Sequence, residues 1–279
     1  MQHQSKQAIA HLSTRSGKPA TIVTMNLAIL TDIHANREAL EACLEHAASR
    51  GAEQYAFLGD LVGYGCDPDW VMQTIMAYCA KGGYAVLGNH DQAVLRGASQ
   101  NMRSEAKFVI EWTRAKLSDA QLGFLDQLPF TVTLPSAQGL KAGDTLLVHA
   151  NAAAPSQWGY IHSTQDAQAS FAASPAARIF CGHMHNPMLY HDTPTGKASH
   201  YVPTSGNAIH LAPHRRWLAI PGSVGQPRDG TPDACYALFN TDTLVLTYWR
   251  VAYDFDTTAA KIRAAGMPQN LAHRLTLGK

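Results

Sequence analysis

Leu27-Ala-Ile-Leu30 runs straight into Thr31-Asp32-Ile33-His34: four apolar residues, then a carboxylate and an imidazole two positions apart. A short continuous apolar run of this kind reads as a strand buried on both faces. The arrangement recurs four times. Tyr55-Ala-Phe-Leu58 leads into Gly59-Asp60, and Tyr84-Ala-Val-Leu87 into Gly88-Asn89-His90-Asp91. Thr145-Leu-Leu-Val148 leads into His149, and Arg178-Ile-Phe-Cys181 into Gly182-His183-Met184-His185. Each run stops at a residue able to bind a metal.

Between the first two runs, Arg37 to His46 has apolar residues at helical spacing and Gly51 as its stop. Trp70 to Ala80 reads the same way between the second and third. Strand alternating with helix implies a mostly parallel sheet with right-handed crossovers. Ligands of such sheets sit beyond the carboxyl ends of the strands, so all five motifs are expected at one edge of one sheet. Trp217 to Ile220, Cys235 to Phe239 and Thr243 to Val251 read as later strands, with a hairpin at Asn240-Thr-Asp242. The tail from Thr257 to Lys279 reads as amphipathic helix broken at Gly266. The expected fold is α/β, a four-layer α/β/β/α sandwich of two mixed sheets flanked by helices. Residues 25–279 are expected to form a single domain behind a flexible extension of residues 1–24, with Met25 as an alternative start.

Charged residues are only 15% of the chain against 46% hydrophobic, which fits a well-buried globular protein and excludes a disordered one. A net charge of +1 provides no global field for long nucleic acid or an anionic membrane. Five cysteines, odd in number and without a C-x-x-C pair, read as small buried residues in a reducing compartment. No apolar run approaches a membrane span and no secretory h-region is present, so a cytoplasmic location is expected.

The candidate ligands Asp32, His34, Asp60, Asn89, His149, His183 and His185 offer carboxylate, imidazole and amide oxygen but no thiolate. That mixture suits Mn, Fe, Zn, Co or Ni rather than a structural thiolate zinc site. Seven ligands are too many for one catalytic ion, whereas two divalent ions sharing a carboxylate would use them all. Two such ions, ~3.5–4 Å apart, can acidify a bridging water and clamp both oxygens of a phosphoryl group. The leaving oxygen then needs a proton. His90 is the candidate general acid, with Asp91 beside it to orient the imidazole and raise its pKa.

The whole set, Asp32-Ile-His34, Gly59-Asp60, Gly88-Asn89-His90-Asp91, His149 and Gly182-His183-Met184-His185, resembles the motifs of the calcineurin-like metallophosphoesterase superfamily. Order and spacing are similar to that family's, with Asp60 28 residues after Asp32 (60 − 32) and Asn89 29 after Asp60 (89 − 60). Pro221-Gly-Ser-Val-Gly-Gln-Pro-Arg-Asp229 is similar to the closing segment of small prokaryotic phosphodiesterase or phosphatase-type members. The resemblance implies a dinuclear phosphoester hydrolase with a metal-bound hydroxide as nucleophile. It assigns Asp32, His34 and His185 to one ion and Asn89, His149 and His183 to the other, with Asp60 bridging. Met184 fills the variable position of G-H-x-H, and Ile220 stands where relatives often have Asn, which removes one amide contact.

The implied partner is a small phosphorylated substrate, mono- or diester, nucleotides included. The rival readings are a protein phosphatase and a non-catalytic metal-binding scaffold of the same fold. For substrate contacts, Asn36 and Arg37 lie where a helix N-terminus favours anions, and Arg37 is equally readable as solvated. Arg228 reads as a phosphate clamp, with an ion pair to Asp229 as the alternative. Tyr64, Trp158 and Tyr160 read as core or rim packing ahead of base stacking. His191, His200, His210 and His214 are read as exposed loop residues.

Overall fold

The structure is a computed structural model, describing residues 25–98, 104–136, 143–193 and 195–279; the expected extension, residues 1–24, lies outside the described residues. Chain order begins β1 (Asn26–Leu30), α1 (Arg37–Ser49), β2 (Gln54–Phe57), α2 (Pro68–Ala80) and β3 (Tyr84–Ala85). Three helices follow, α3 (Asn89–Arg96), α4 (Ser104–Lys116) and α5 (Asp119–Gln127). Then come β4 (Thr131–Leu134), β5 (Thr145–Val148), α6 (Thr164–Ala173), β6 (Arg178–Phe180), β7 (Met188–Asp192), β8 (Ala198–Tyr201) and β9 (Ala208–His210). The chain closes with β10 (Trp217–Ile220), β11 (Ala234–Asn240), β12 (Val245–Val251), α7 (Phe255–Ala264) and α8 (Gln269–Leu277).

Two six-stranded mixed sheets result, ordered β3-β2-β1-β11-β12-β9 and β4-β5-β6-β10-β7-β8. Pairing is parallel for β1/β2, β2/β3, β5/β6 and β6/β10, and antiparallel elsewhere. The side chains of β1 show why the apolar runs are continuous. Leu27 and Ile29 join the core shared with Leu147, Phe180 and Ala219 of the second sheet. Ala28 and Leu30 point the opposite way, onto Leu40 and Ala47 of α1 and Val71 and Ile75 of α2. Both faces of the strand are buried, and the two-residue period sends alternate side chains into different cores. The second sheet is covered by α6 through Ala167 and Phe171.

The four-layer sandwich of two mixed sheets is therefore the observed fold, with one correction. The five motif-bearing runs do not belong to one sheet: those before Asp32, Asp60 and Asn89 lie in the first sheet, and those before His149 and His183 in the second. The site forms where the ends of β1, β2, β5 and β6 and the start of α3 meet across the sandwich. His191, His200 and His210 are on strands rather than in a loop, although His200, His210 and His214 are exposed as expected. No described helix is long and apolar enough to cross a membrane.

Candidate metal centre

The loop after β1 carries Asp32 and His34, with the Asp32 amide donating to Gly59 O and the His34 amide to Asp60 O. These bonds tie it to the loop after β2, and the second sheet is stitched on through Asp32. The His183 amide donates to both carboxylate oxygens of Asp32, at 3.2 and 2.9 Å, and Ser223 Oγ donates to Asp32 O at 2.8 Å. Asp32, His34, Asp60, His183 and His185 all have positive φ, between 49° and 68°. Side chains other than glycine rarely adopt that region, at a cost of about 1–3 kcal/mol each, and such strain concentrates at functional sites.

Two groups of donors emerge. In the first, Asp32, His34, Asp60 and His185 each place one ligand atom within 4.8 Å of all the others; in the second, Asp60, His149 and His183 do the same. Asp60 belongs to both. Asn89 joins the second group, its Oδ1 being 3.1 Å from His149 Nε2. The carboxylates and imidazoles of both groups are buried, and Asn89 is half-buried.

Hydrogen bonds behind the imidazoles aim them. His149 Nδ1 faces Leu58 O at 2.7 Å, His185 Nδ1 faces Gln226 O at 2.6 Å, and His183 Nε2 faces Trp158 O at 3.0 Å. A carbonyl can only accept, so in each ring that nitrogen carries the proton and the other presents its lone pair inward, the tautomer being set by the partner. His34 Nε2 and His185 Nε2 consequently lie 3.2 Å apart. Two nitrogen donors facing each other beside two carboxylates repel unless a cation or proton sits between them. The donor set, with no cysteine in either group, fits divalent ions of the borderline kind.

Charge supports the same reading. Burial alone would raise the Asp32 carboxyl, but the imidazoles of His185 and His149 outweigh it and hold Asp32 well below the usual carboxylate range. Burial is likewise overcome at Asp60, chiefly by His149 and then His90 and His34. Burial pushes His183 down to about 4 and His34 well below its ordinary value, in both cases helped by neighbouring imidazoles. At His149 burial is overcome by Asp60 and Asp32, which lift it to about 9. Ionised carboxylates and the neutral imidazoles of His34 and His183, removed from water, are in the form that ligates metal, whereas His149 would have to give up a proton to an ion.

His90 stands beside the first group, its ring centroid 4.9 Å from His34 and 4.4 Å from Tyr64. The expectation for Asp91 is corrected. Its Oδ1 accepts from the amides of Leu61 and Val62 at 2.9 and 3.2 Å, and its Oδ2 from Gly88 at 3.0 Å. The carboxylate therefore braces the loop after β2 against the start of α3 and does not orient the His90 ring. Nor is the His90 pKa raised: burial lowers it, opposed by Asp60 and reinforced by His185, His149 and Arg228.

Asn36 and Arg37 are engaged in packing. Asn36 Oδ1 caps α1 by accepting from the Ala39 amide, and its Nδ2 donates to Gly225 O and Tyr253 Oη. Arg37 is surface-exposed, pairs with Glu41 and lies over the Trp70 ring. Arg228 differs. Asp229 pairs with Arg250 instead, Arg228 Nη2 donates to Gln226 Oε1 at 3.0 Å, and its Nε is buried with no hydrogen-bond partner among the described residues. The aromatic residues ring the centre, with Tyr64 on His34, Trp158 on His149 and Tyr160 stacked on His183 at 4.0 Å. The supporting carbonyls of Leu58, Trp158 and Gln226 were missed by side-chain reasoning, because any residue type supplies a carbonyl.

The chain belongs to the calcineurin-like phosphoesterase superfamily, whose domain model matches residues 25–244. It is 31% identical over 259 residues to the uncharacterized protein MJ0912 of Methanocaldococcus jannaschii, across 92% of this chain and 100% of that one. The solved metallophosphoesterase from Sphaerobacter thermophilus is 32% identical with a TM-score of 0.80, over 92% of this chain and 100% of that one. The hypothetical protein PH1004 from Pyrococcus horikoshii OT3, 20% identical with a TM-score of 0.73 over 91% and 99% of the two chains, shares the fold.

Proposed function

We propose that the chain is a dinuclear phosphoester hydrolase acting on small phosphomono- or diesters in the cytoplasm. The carrying observation is Asp60, the one carboxylate common to both donor groups. On this reading Asp32, His34 and His185 hold one divalent ion, Asn89, His149 and His183 the other, and Asp60 both. Such ions, when bound, supply an acidified water as nucleophile and positive charge for the phosphoryl oxygens.

The chain's own groups do the rest. His90, on the rim beside His34, holds the proton for the departing oxygen. Arg228, whose neighbour Asp229 is held by Arg250, offers its guanidinium to a phosphoryl oxygen. Tyr160 and Trp158 screen the imidazoles of the second group from water.

The test is turnover of bis-p-nitrophenyl phosphate and p-nitrophenyl phosphate by protein loaded with Mn, Fe, Co, Zn or Ni, alongside elemental analysis. Two ions per chain with turnover is the expected result. Two bound ions with no turnover under any metal would make the chain a non-catalytic scaffold.

A further inference from the structure

A cavity of about 590 Å³ opens on the His90 side of the centre. Asn89, His90, Tyr64 and Trp158 line it at the metal end. Its walls are apolar: Ala93 from α3, Val109 and Ile110 from α4, and Pro268 and Leu271 at the start of α8. Arg96 and Arg274 also line it, against a single acid, Glu105. Neither arginine forms a salt bridge among the described residues. One wall comes from α8 and the Pro268 before it, and α8 packs against α7. Those helices are held down by their own core, in which Ile262, Met267, Leu271 and Leu275 pack on Val109 of α4. Lys261 of α7 further pairs with Glu38 of α1 and Asp67 at the head of α2.

The position of this cavity matters chemically. A group that protonates the leaving oxygen lies beside that oxygen, on the side of the phosphorus away from the nucleophile, so space adjoining His90 is leaving-group space. A volume of 590 Å³ suits a ligand of several rings' size. Apolar walls with aromatic edges favour a planar ring system over a bare sugar, whose hydroxyls would be left unsatisfied. Two guanidiniums without an ion-pair partner among the described residues favour an anion on the same ligand.

We propose that this cavity holds a nucleotide as the leaving group, its base against Val109, Ile110 and Leu271 and its own phosphate on Arg274 and Arg96. This rests on the phosphoester-hydrolase reading above. The substrate class is then a short linear dinucleotide with a 5′-terminal phosphate. Cleavage joins a water oxygen to the internucleotide phosphorus and breaks its bond to the 3′-oxygen. The 3′-oxygen takes the proton, and the nucleotide departs with its 5′-phosphate intact.

The test uses the full chain. 5′-AMP and adenosine are titrated into metal-free protein by calorimetry, and metal-loaded protein is assayed on pApA, ApA and bis-p-nitrophenyl phosphate. We expect 5′-AMP to bind at least about tenfold more tightly than adenosine, and pApA to exceed ApA by a similar factor in kcat/KM, one charge-assisted contact being worth roughly that. Arg274→Gln should remove both preferences. Ala106→Trp, a change at an exposed residue that also lines the cavity, should block 5′-AMP binding without demanding core repair. Equal binding of 5′-AMP and adenosine, or preferences indifferent to both substitutions, would overturn the proposal. If 5′-AMP binds as expected while no phosphoester is turned over, the hydrolase reading fails and the nucleotide site stands.

Discussion

The amide of His90 donates to Asp60 Oδ1 at 2.8 Å, so the residue offered as proton donor hangs from the carboxylate common to both donor groups. That bond places the first turn of α3 and the end of β2 in fixed register. Asp60→Asn should preserve it, because an amide oxygen also accepts, while removing the charge shared by the two groups. The expected outcome is a folded protein whose metal content falls at both positions and whose activity drops at least about a hundredfold, a ligand being worth no less than its supporting partners. Elemental analysis beside circular dichroism checks it; two ions retained per chain would end the bridging assignment.

His90→Ala removes the imidazole and leaves the backbone bond to Asp60 in place. Metal content should be unchanged. Rates should fall by about 10²–10⁴-fold for alkyl esters, which need a protonated leaving oxygen, and much less for nitrophenyl esters, which do not. Equal losses on both substrate types would remove His90 from the acid role.

Asp91→Asn separates bracing from acid–base work. The carboxylate accepts from the amides of Gly88, Leu61 and Val62, and an Asn amide nitrogen would face one of those donors without a bond. A stability loss of about 1–3 kcal/mol is expected from one unsatisfied buried group. Thermal unfolding should register it. The dependence of rate on leaving group, the signature of the acid, should match wild type; a change in that dependence would restore Asp91 as the partner of His90.

Gly88 meets Asp60 closely enough to forbid a side chain. A Cβ there would lie 2.1 Å from Asp60 N and 2.3 Å from Asp60 Oδ1. Gly88→Ala must therefore displace the shared carboxylate, and overpacking of this sort costs about 1–3 kcal/mol. The variant should lose thermal stability and metal together, and retention of both metals would show that the loop can yield.

These relationships also mark where reading the sequence succeeds and stops. The run Leu27 to Leu30 is legible because both faces of β1 are buried, which leaves an uninterrupted apolar signal ending at a ligand. That same double burial hides which sheet a run belongs to, so the strands before His149 and His183 could not be separated from the others. β8, exposed at Ser199, His200 and Tyr201, has no apolar face and left no strand pattern. The role of Asp91 was misread for a geometric reason: adjacent residues of a helix point about 100° apart, so Asp91 and His90 cannot face each other. As the third residue of α3, Asp91 instead turns back to cap it. The candidate ligands themselves were legible because their chemistry is rare at strand ends, whereas the carbonyls that aim them carry no sequence signature.

The availability of Arg228 depends on a residue distant in sequence. Arg250, on β12, takes Asp229 and also donates to Asp233 O at 3.1 Å. Arg250→Ala would release the Asp229 carboxylate, which would then compete with substrate phosphate for the donors of the neighbouring Arg228 guanidinium. KM should rise several-fold, with kcat changing less, because the ligands and His90 are untouched. Arg250→Ala combined with Asp229→Ala removes the competitor and should return KM toward wild type. A KM that stays high in the double variant would mean that Arg250 acts by holding β12 in place and not by keeping Arg228 free.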